Sequence, residues 1–393
     1  MSEIESIKKH VEHLSVSIGP RGSTTPGERQ ASEYAEQVYR DLGLSPLVES
    51  FRSVRSAWLP FALGCGLVLV GETLYLLGGF YGAILGILIS VFAVVSLVLE
   101  LMFKPNPFRW VLPKGDSQNV SVKIPSEAST KKTVILIGHL DTHRMPIAYK
   151  SLSWVKFFRS LTTTTFASAL VLIILYILDL FFEWIIFPLL SLVFAFPVLV
   201  LFLMAISADR TDYTPGANDN ASGTAIVMGL AERALKSPLQ NTVLWAINSG
   251  CEEVGAYGAE AWVKKHASEI EEAIFLTIDN VGGKETSPCY LTKETLIFPI
   301  ESDPALLELA DKIAAENPEF GACRHEMRAA YTEGAIGSKA GLRCLTFVNY
   351  TPDGVIPDWH QPSDVFENVD WDVVQLTEEF VWELIQKMDS IQM

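Results

Sequence analysis

Two stretches of this chain, residues 57–103 and 160–206, are almost continuously apolar, while the rest alternates short apolar runs with amphipathic segments. Each apolar stretch is long enough for two spans of about 20 residues. Glu72 and Glu100 are the only charges in the first, and Asp179 and Glu183 the only ones in the second. Gly78-Gly79 offers a turn in the first; residues 179–183, with Pro188 just beyond, offer one in the second. Buried core helices are usually shorter and one-sided, so the pattern predicts two transmembrane hairpins, four spans in all. Glu72 and Glu100 then lie at interfaces or pack between helices, with an intramembrane function as the sharper reading. The threonine run 162–165 falls at a membrane boundary.

Outside these inserts the period changes. Apolar, β-branched runs at 120–124, 133–139, 242–248, 274–279 and 344–349 read as strands. Segments 27–42, 221–235, 256–266, 304–315 and 371–388 read as helices. In the last, Val373, Val374, Phe380, Val381, Leu384, Ile385 and Met388 recur at helical spacing behind a candidate cap, Asp370. Alternating strand and helix predicts an α/β fold, a mixed, mainly parallel sheet with helices on both faces. Residues 1–56, 104–159 and 207–393 would then form one domain, interrupted by hairpins at 57–103 and 160–206.

Of the net charge of −16, the four carboxylates of the inserts account for −4, and the rest lies in the polar segments. An acidic surface argues against nucleic acid, which needs clustered Lys and Arg. Five cysteines without Cys-x-x-Cys spacing fit a reducing compartment. The polar, helical start is no signal peptide. Arg52, Arg55, Lys104, Arg109, Lys150, Lys156, Arg159 and Arg210 flank the spans on the side of the polar domain, and the hairpin turns carry no basic residue. The positive-inside rule therefore predicts a multi-pass membrane protein with the polar domain in the cytoplasm.

Candidate chemistry clusters in five short segments: Gly138-His139-Leu140-Asp141, Gly216-Ala217-Asn218-Asp219-Asn220, Cys251-Glu252-Glu253-Val254-Gly255, Thr277-Ile278-Asp279-Asn280 and Asp358-Trp359-His360-Gln361-Pro362. Each puts His, Asp or Glu at the end of an apolar run or on a Gly-rich turn, where an α/β fold places catalytic side chains. Imidazole and carboxylate suit divalent zinc, and a two-metal site needs terminal ligands plus one shared carboxylate. His139, Asp279, Glu253 and His360 are the terminal candidates and Asp219 the bridge. Glu252, beside a ligand, suits a general base. Asp141, two residues after His139 on an extended segment, suits an imidazole-orienting role. His10, His13, His266 and His325 read as surface or core residues; His143 lies near the first motif without a ligand's place in it.

These segments resemble the di-zinc aminopeptidase family that includes bacterial leucyl aminopeptidase, plasma glutamate carboxypeptidase and the non-catalytic transferrin receptor. The likeness covers roughly 1–55, 105–157 and 207–393 and excludes the inserts. It matches His139 and Asp141 to a His-x-Asp motif and Asp219 to the bridging Asp. Glu252 and Glu253 match base then ligand, and Asp279 and His360 match the remaining ligands. Thr332-Glu333-Gly334 resembles a Ser-Asp segment with Thr-Glu in its place. The resemblance implies a zinc-peptidase (phosphorylase/hydrolase-like) fold, two divalent metal ions, zinc first among them, and hydrolysis of amide bonds. A peptide with a free amino terminus is the commonest substrate of such enzymes. Three alternatives stay open: a deacylase of amide-linked lipids or N-acyl amino acids, a glutaminyl cyclase, and a receptor or scaffold on an inactive peptidase fold. The expected partners are a peptide or amide substrate and the lipid bilayer; oligomeric state is left open.

Overall fold

A computed structural model describes residues 2–128 and 132–390. The chain forms two compact units, one from residues 1–53, 114–143 and 213–393, the other from 54–113 and 144–212.

The first unit is built on a nine-stranded sheet: β1 Leu47–Val54, β2 Lys114–Ile124, β3 Lys132–His139, β4 Thr242–Ser249, β5 Ile274–Ile278, β6 Cys289–Thr295, β7 Pro299–Glu301, β8 Cys323–Arg328 and β9 Arg343–Phe347. The order is β1-β2-β4-β3-β5-β9-β6-β7, with β8 paired to β6. The central strands β4, β3, β5 and β9 are parallel, β2 and β6 flank them antiparallel, and β8 runs parallel to β6. The five strands expected from the sequence are β2, β3, β4, β5 and β9. The other four are short or polar, and residue pattern alone gave them no signal.

Side-chain alternation divides the core. Val134, Leu136, Leu244, Ala246, Ile274, Leu276, Leu345 and Phe347 face one main cluster, which they share with the helices Glu3–Glu12, Pro26–Asp41, Gly223–Lys236, Pro304–Glu316 and Trp371–Ser390. On the opposite face Trp245 meets Trp262 of the helix Tyr257–His266, ring centroids 4.6 Å apart. The short helix Glu333–Lys339 packs so closely there that a Cβ on Gly337 would lie 2.7 Å from Cys344 Sγ. Helices therefore cover both faces. Asp370 caps the last helix, its Oδ1 accepting from Asp372 N at 3.1 Å.

Two glycines set the active edge. A Cβ on Gly138 would sit 3.1 Å from the Gly223 carbonyl carbon, and one on Gly223 would sit 2.2 Å from Ile278 O. Their absence lets the start of the helix Gly223–Lys236 lie against the carboxyl ends of β3 and β5. Thr224 Oγ1 then donates to His139 O at 2.6 Å.

In the second unit the helices Leu59–Leu77, Gly79–Leu101, Leu152–Phe182 and Ile186–Ala208 are each long and apolar enough to cross a membrane. Many of their large apolar side chains face outward, among them Leu77, Phe80, Tyr81, Phe181 and Phe196. Polar groups pair inside the bundle instead. Glu72 accepts from Tyr176 Oη at 2.6 Å and from Ser191 Oγ at 2.8 Å, and Asp179 accepts from Tyr75 Oη at 2.9 Å. Glu100 pairs with Arg109 at 2.9 Å. The first break falls at Gly78-Gly79 as expected. The second falls at the end of the expected stretch 179–183: Asp179 stays helical and the chain turns at Glu183, φ 50°. The threonine run also lies within a helix, where Thr162 and Thr163 donate back to Phe158 O and Arg159 O.

Candidate active site

Strands β4, β3 and β5 are neighbours and parallel, so their carboxyl ends align. His139 ends β3, Asp279 follows β5, and Glu252 and Glu253 lie on the turn after β4. Asp219 lies in the turn 217–222 before the helix Gly223–Lys236, and His360 comes from the loop before the last helix. All six side chains are buried.

The Asp219 carboxylate divides its two oxygens. Oδ1 lies 3.4 Å from His139 Nε2, which is itself 3.3 Å from Asp279 Oδ1. Oδ2 lies 3.2 Å from His360 Nε2, which is 3.4 Å from Glu253 Oε2. Ligand atoms about 2.1 Å from a tetrahedral zinc ion lie about 3.4 Å apart, so both sets have the spacing of shared ligands. Glu252 Oε2 is 4.0 Å from His139 Nε2.

The donor set fits divalent cations on a second count. His139 Nε2, Asp219 Oδ2, Glu252 Oε1 and Glu253 Oε1 are buried yet make no hydrogen bond among the described residues. Orphaned buried polar atoms are rare and costly; here they converge on a small volume. Burial drives Glu252 well above the ordinary carboxylate range, and Glu333 and Glu253 add to the rise against His139. Burial, with Asp219, lifts Glu253 to about 7. Burial opposes the charged imidazole of His360, but Glu253 and Asp219 outweigh it and raise it to about 9. Burial likewise opposes charge on His139, and the carboxylates Asp141, Asp219 and Asp279 overcome it. Without a cation, this cluster of carboxylates recruits protons.

Asp141 sits beneath the cluster. Its carbonyl lies 3.0 Å from His139 Nδ1 and its Oδ1 3.6 Å. Its carboxylate accepts from Glu252 N at 3.0 Å, Glu253 N at 3.2 Å and Ser23 Oγ at 2.6 Å. The side chain thus holds the backbone of the Glu-Glu turn, while the carbonyl makes the shorter contact with the imidazole.

Several supporting residues carried no assigned role in the sequence reading. The buried Arg21 guanidinium donates to the carbonyls of Leu14, Gly19, Leu140, Pro215 and Gly216, tying the His139 and Asp219 loops together. Burial lowers it only to about 10, so it stays charged. Asp364, within the His360 motif, accepts from Asn218 N at 2.6 Å and Asp219 N at 3.1 Å. Glu28 holds Cys251 N at 2.9 Å. Glu333 accepts from Ser249 Oγ at 2.7 Å, and burial lifts it to about 7 beside the site. His143 stacks on His360 with centroids 3.7 Å apart, and one ligand atom each of His143, His360 and Glu253 lies within 4.8 Å of the others. The signal for Arg21 was a lone Arg in a Gly- and Pro-rich loop; its partners are too distant in sequence to be guessed.

Residues 203–385 match the sequence profile of Peptidase family M28. Over that stretch, just under half of the chain, the sequence is similar to peptidase family M28. Over 193 residues the chain is 28% identical to aminopeptidase YwaD of Bacillus subtilis, a match covering 46% of this chain and 40% of that protein. The chain thus matches about two fifths of that relative's length. A zinc aminopeptidase structure from Bacillus subtilis superposes with a TM-score of 0.59 at 14% identity, covering 98% of this chain and 95% of that one. The glutaminyl cyclase of Porphyromonas gingivalis gives 0.60 at 13% identity, covering 98% of each. The fold is therefore shared with both aminopeptidases and cyclases, and choosing between them falls to the side chains.

Proposed function

We propose that this protein is a membrane-anchored, metal-dependent hydrolase of amide bonds that releases amino-terminal residues from peptides. The observation that carries the reading is the division of the Asp219 oxygens between the His139–Asp279 pair and the His360–Glu253 pair. In this reading His139 and Asp279 would hold one divalent ion and Glu253 and His360 a second, with Asp219 shared between them and zinc as the metal. Bound ions of this kind lower the pKa of water and stabilise negative charge on a carbonyl oxygen. Glu252 takes the proton of the attacking water and returns it to the leaving nitrogen. Asp141 fixes the Glu252 and Glu253 amides, so base and ligand keep their spacing.

The superposition with glutaminyl cyclases supports a second reading. His139 and Asp279, which complete a second cation set, favour the hydrolase. For the membrane setting, the four apolar helices support a multi-pass protein, and the flanking Lys and Arg residues support a cytoplasmic catalytic unit. The test is one substrate comparison on purified, metal-analysed protein: aminoacyl-nitroanilides, N-acyl amino acids and peptides with amino-terminal glutamine. We expect two metal ions per chain and turnover of the nitroanilides. Turnover of the acyl amino acids alone indicates a deacylase, and pyroglutamate formation a cyclase. Absence of both metal and turnover indicates a scaffold.

A further inference from the structure

We propose that Cys289 and Cys323 form a reversible disulfide when the protein meets a low-molecular-weight disulfide such as oxidised glutathione. The two residues open strands β6 and β8 and are direct partners in their parallel register. Directly paired strand residues lie about 4.8 Å apart, within the Cα separation a disulfide tolerates. Their Sγ atoms are 3.2 Å apart already. Closing to a bond of about 2.05 Å needs an approach of roughly 1.2 Å, which side-chain rotation supplies without moving the strands.

The pair also has the asymmetry that exchange chemistry requires. Cys323 is exposed and open to an oxidant, while Cys289 is buried behind it. The thiol contact from Cys289 favours the thiolate on Cys323, holding it down at about 7 against partial burial. Cys323 Sγ attacks one sulfur of the oxidant, whose S–S bond breaks. One glutathione thiolate leaves and takes a proton. The Cys289 thiol loses its proton and attacks Cys323 Sγ, breaking the mixed disulfide and expelling the second glutathione. Two cysteine thiols are oxidised by two electrons, and one glutathione disulfide becomes two thiols.

The cross-link would tie β6 to β8 beneath a small apolar cluster of Cys289, Leu291, Met327, Val348, Tyr350 and Ile356, against which Trp359 packs. Cys65, Cys251 and Cys344 are buried on other elements. The proposal does not depend on the catalytic reading, since the thiols lie outside the candidate metal site.

The test uses the full-length protein in detergent, reduced, cleared of reductant and incubated with oxidised glutathione. Thiols are then counted under denaturing conditions and the cross-link is mapped by peptide mass spectrometry. The expected fall is from five thiols to three, with one bond joining the peptides of Cys289 and Cys323. Dithiothreitol should restore all five. In C289S we expect one glutathione adduct, on Cys323, and no internal bond. Five surviving thiols in the wild type, a stable adduct on wild-type Cys323, or a bond between other cysteines would each overturn the proposal.

Discussion

The Asp219 carboxylate faces two imidazoles, and His139 and His360 together hold it below the ordinary carboxylate range despite its burial. Removing it takes a partner from both candidate ion sets at once. We expect D219A to lose metal, read as elemental analysis well below two ions per chain; full occupancy in that variant would remove Asp219 from the bridge. E252Q should behave oppositely, keeping its metal while hydrolysis falls about 10²–10⁴-fold, the usual worth of a positioned acid–base group. Wild-type turnover in E252Q would take Glu252 out of the mechanism. Away from the site, Glu378 is buried against Arg233, with oxygens 2.7 and 3.0 Å from Nη1. Burial outweighs that cation and lifts Glu378 to about 7 from its ordinary 4.5. Between those pH values the folded state binds more protons than the unfolded, so this group's contribution to stability falls as pH rises. E378Q does not titrate. The melting temperature of E378Q relative to wild type should therefore become more positive from pH 5 to pH 8, and a flat or falling difference counts against the assignment.

At the scale of elements, the ends of β3 and β5 and the start of the helix Gly223–Lys236 form one junction. An alanine at position 223 gains up to about 1 kcal/mol in helix propensity. Its Cβ, however, would stand 2.2 Å from the backbone oxygen of Ile278, one residue before Asp279. A backbone atom cannot swing aside as a side chain does, so the clash wins. We expect G223A to lose about 1–3 kcal/mol of stability and to bind metal more weakly, measured by thermal unfolding and metal titration together. Unchanged affinity would mean that the junction does not set the spacing of His139 and Asp279. The four long apolar helices follow a different logic: their outward faces are apolar, and Glu72, Tyr176, Ser191, Tyr75 and Asp179 satisfy one another inside.

At the scale of the whole molecule, the chain enters and leaves the apolar unit twice, and the residues of the first unit still complete one sheet. Were the four apolar helices to cross a bilayer, an even number in each excursion would return the chain to the same side. Along the sequence the basic residues flank the apolar helices at the ends that join the polar segments, and the hairpin turns have none. A reporter fused at the carboxyl terminus should accordingly give a cytoplasmic signal. An external signal would reverse the charge argument, and with it the proposal of a cytoplasmic catalytic unit.

The sequence by itself determined the α/β class, the central strands, the amphipathic final helix and four long apolar helices, because each is written in local hydrophobic pattern. It also picked out His139, Asp219, Glu252, Glu253, Asp279 and His360 as candidates, since each stands at the end of an apolar run or on a Gly-rich turn. Only the tertiary structure decided what surrounds them. Arg21 finds carbonyls up to 195 residues away, the Asp141 carboxylate turns out to hold backbone amides more than 100 residues on, and His143 stacks on a histidine from a distant loop. Strands β1, β6, β7 and β8 were likewise hidden, since they are short or polar and gain their place from neighbours. Periodicity reports which face of an element is buried; hydrogen bonds between remote loops leave no period, and three-dimensional packing alone brings them together.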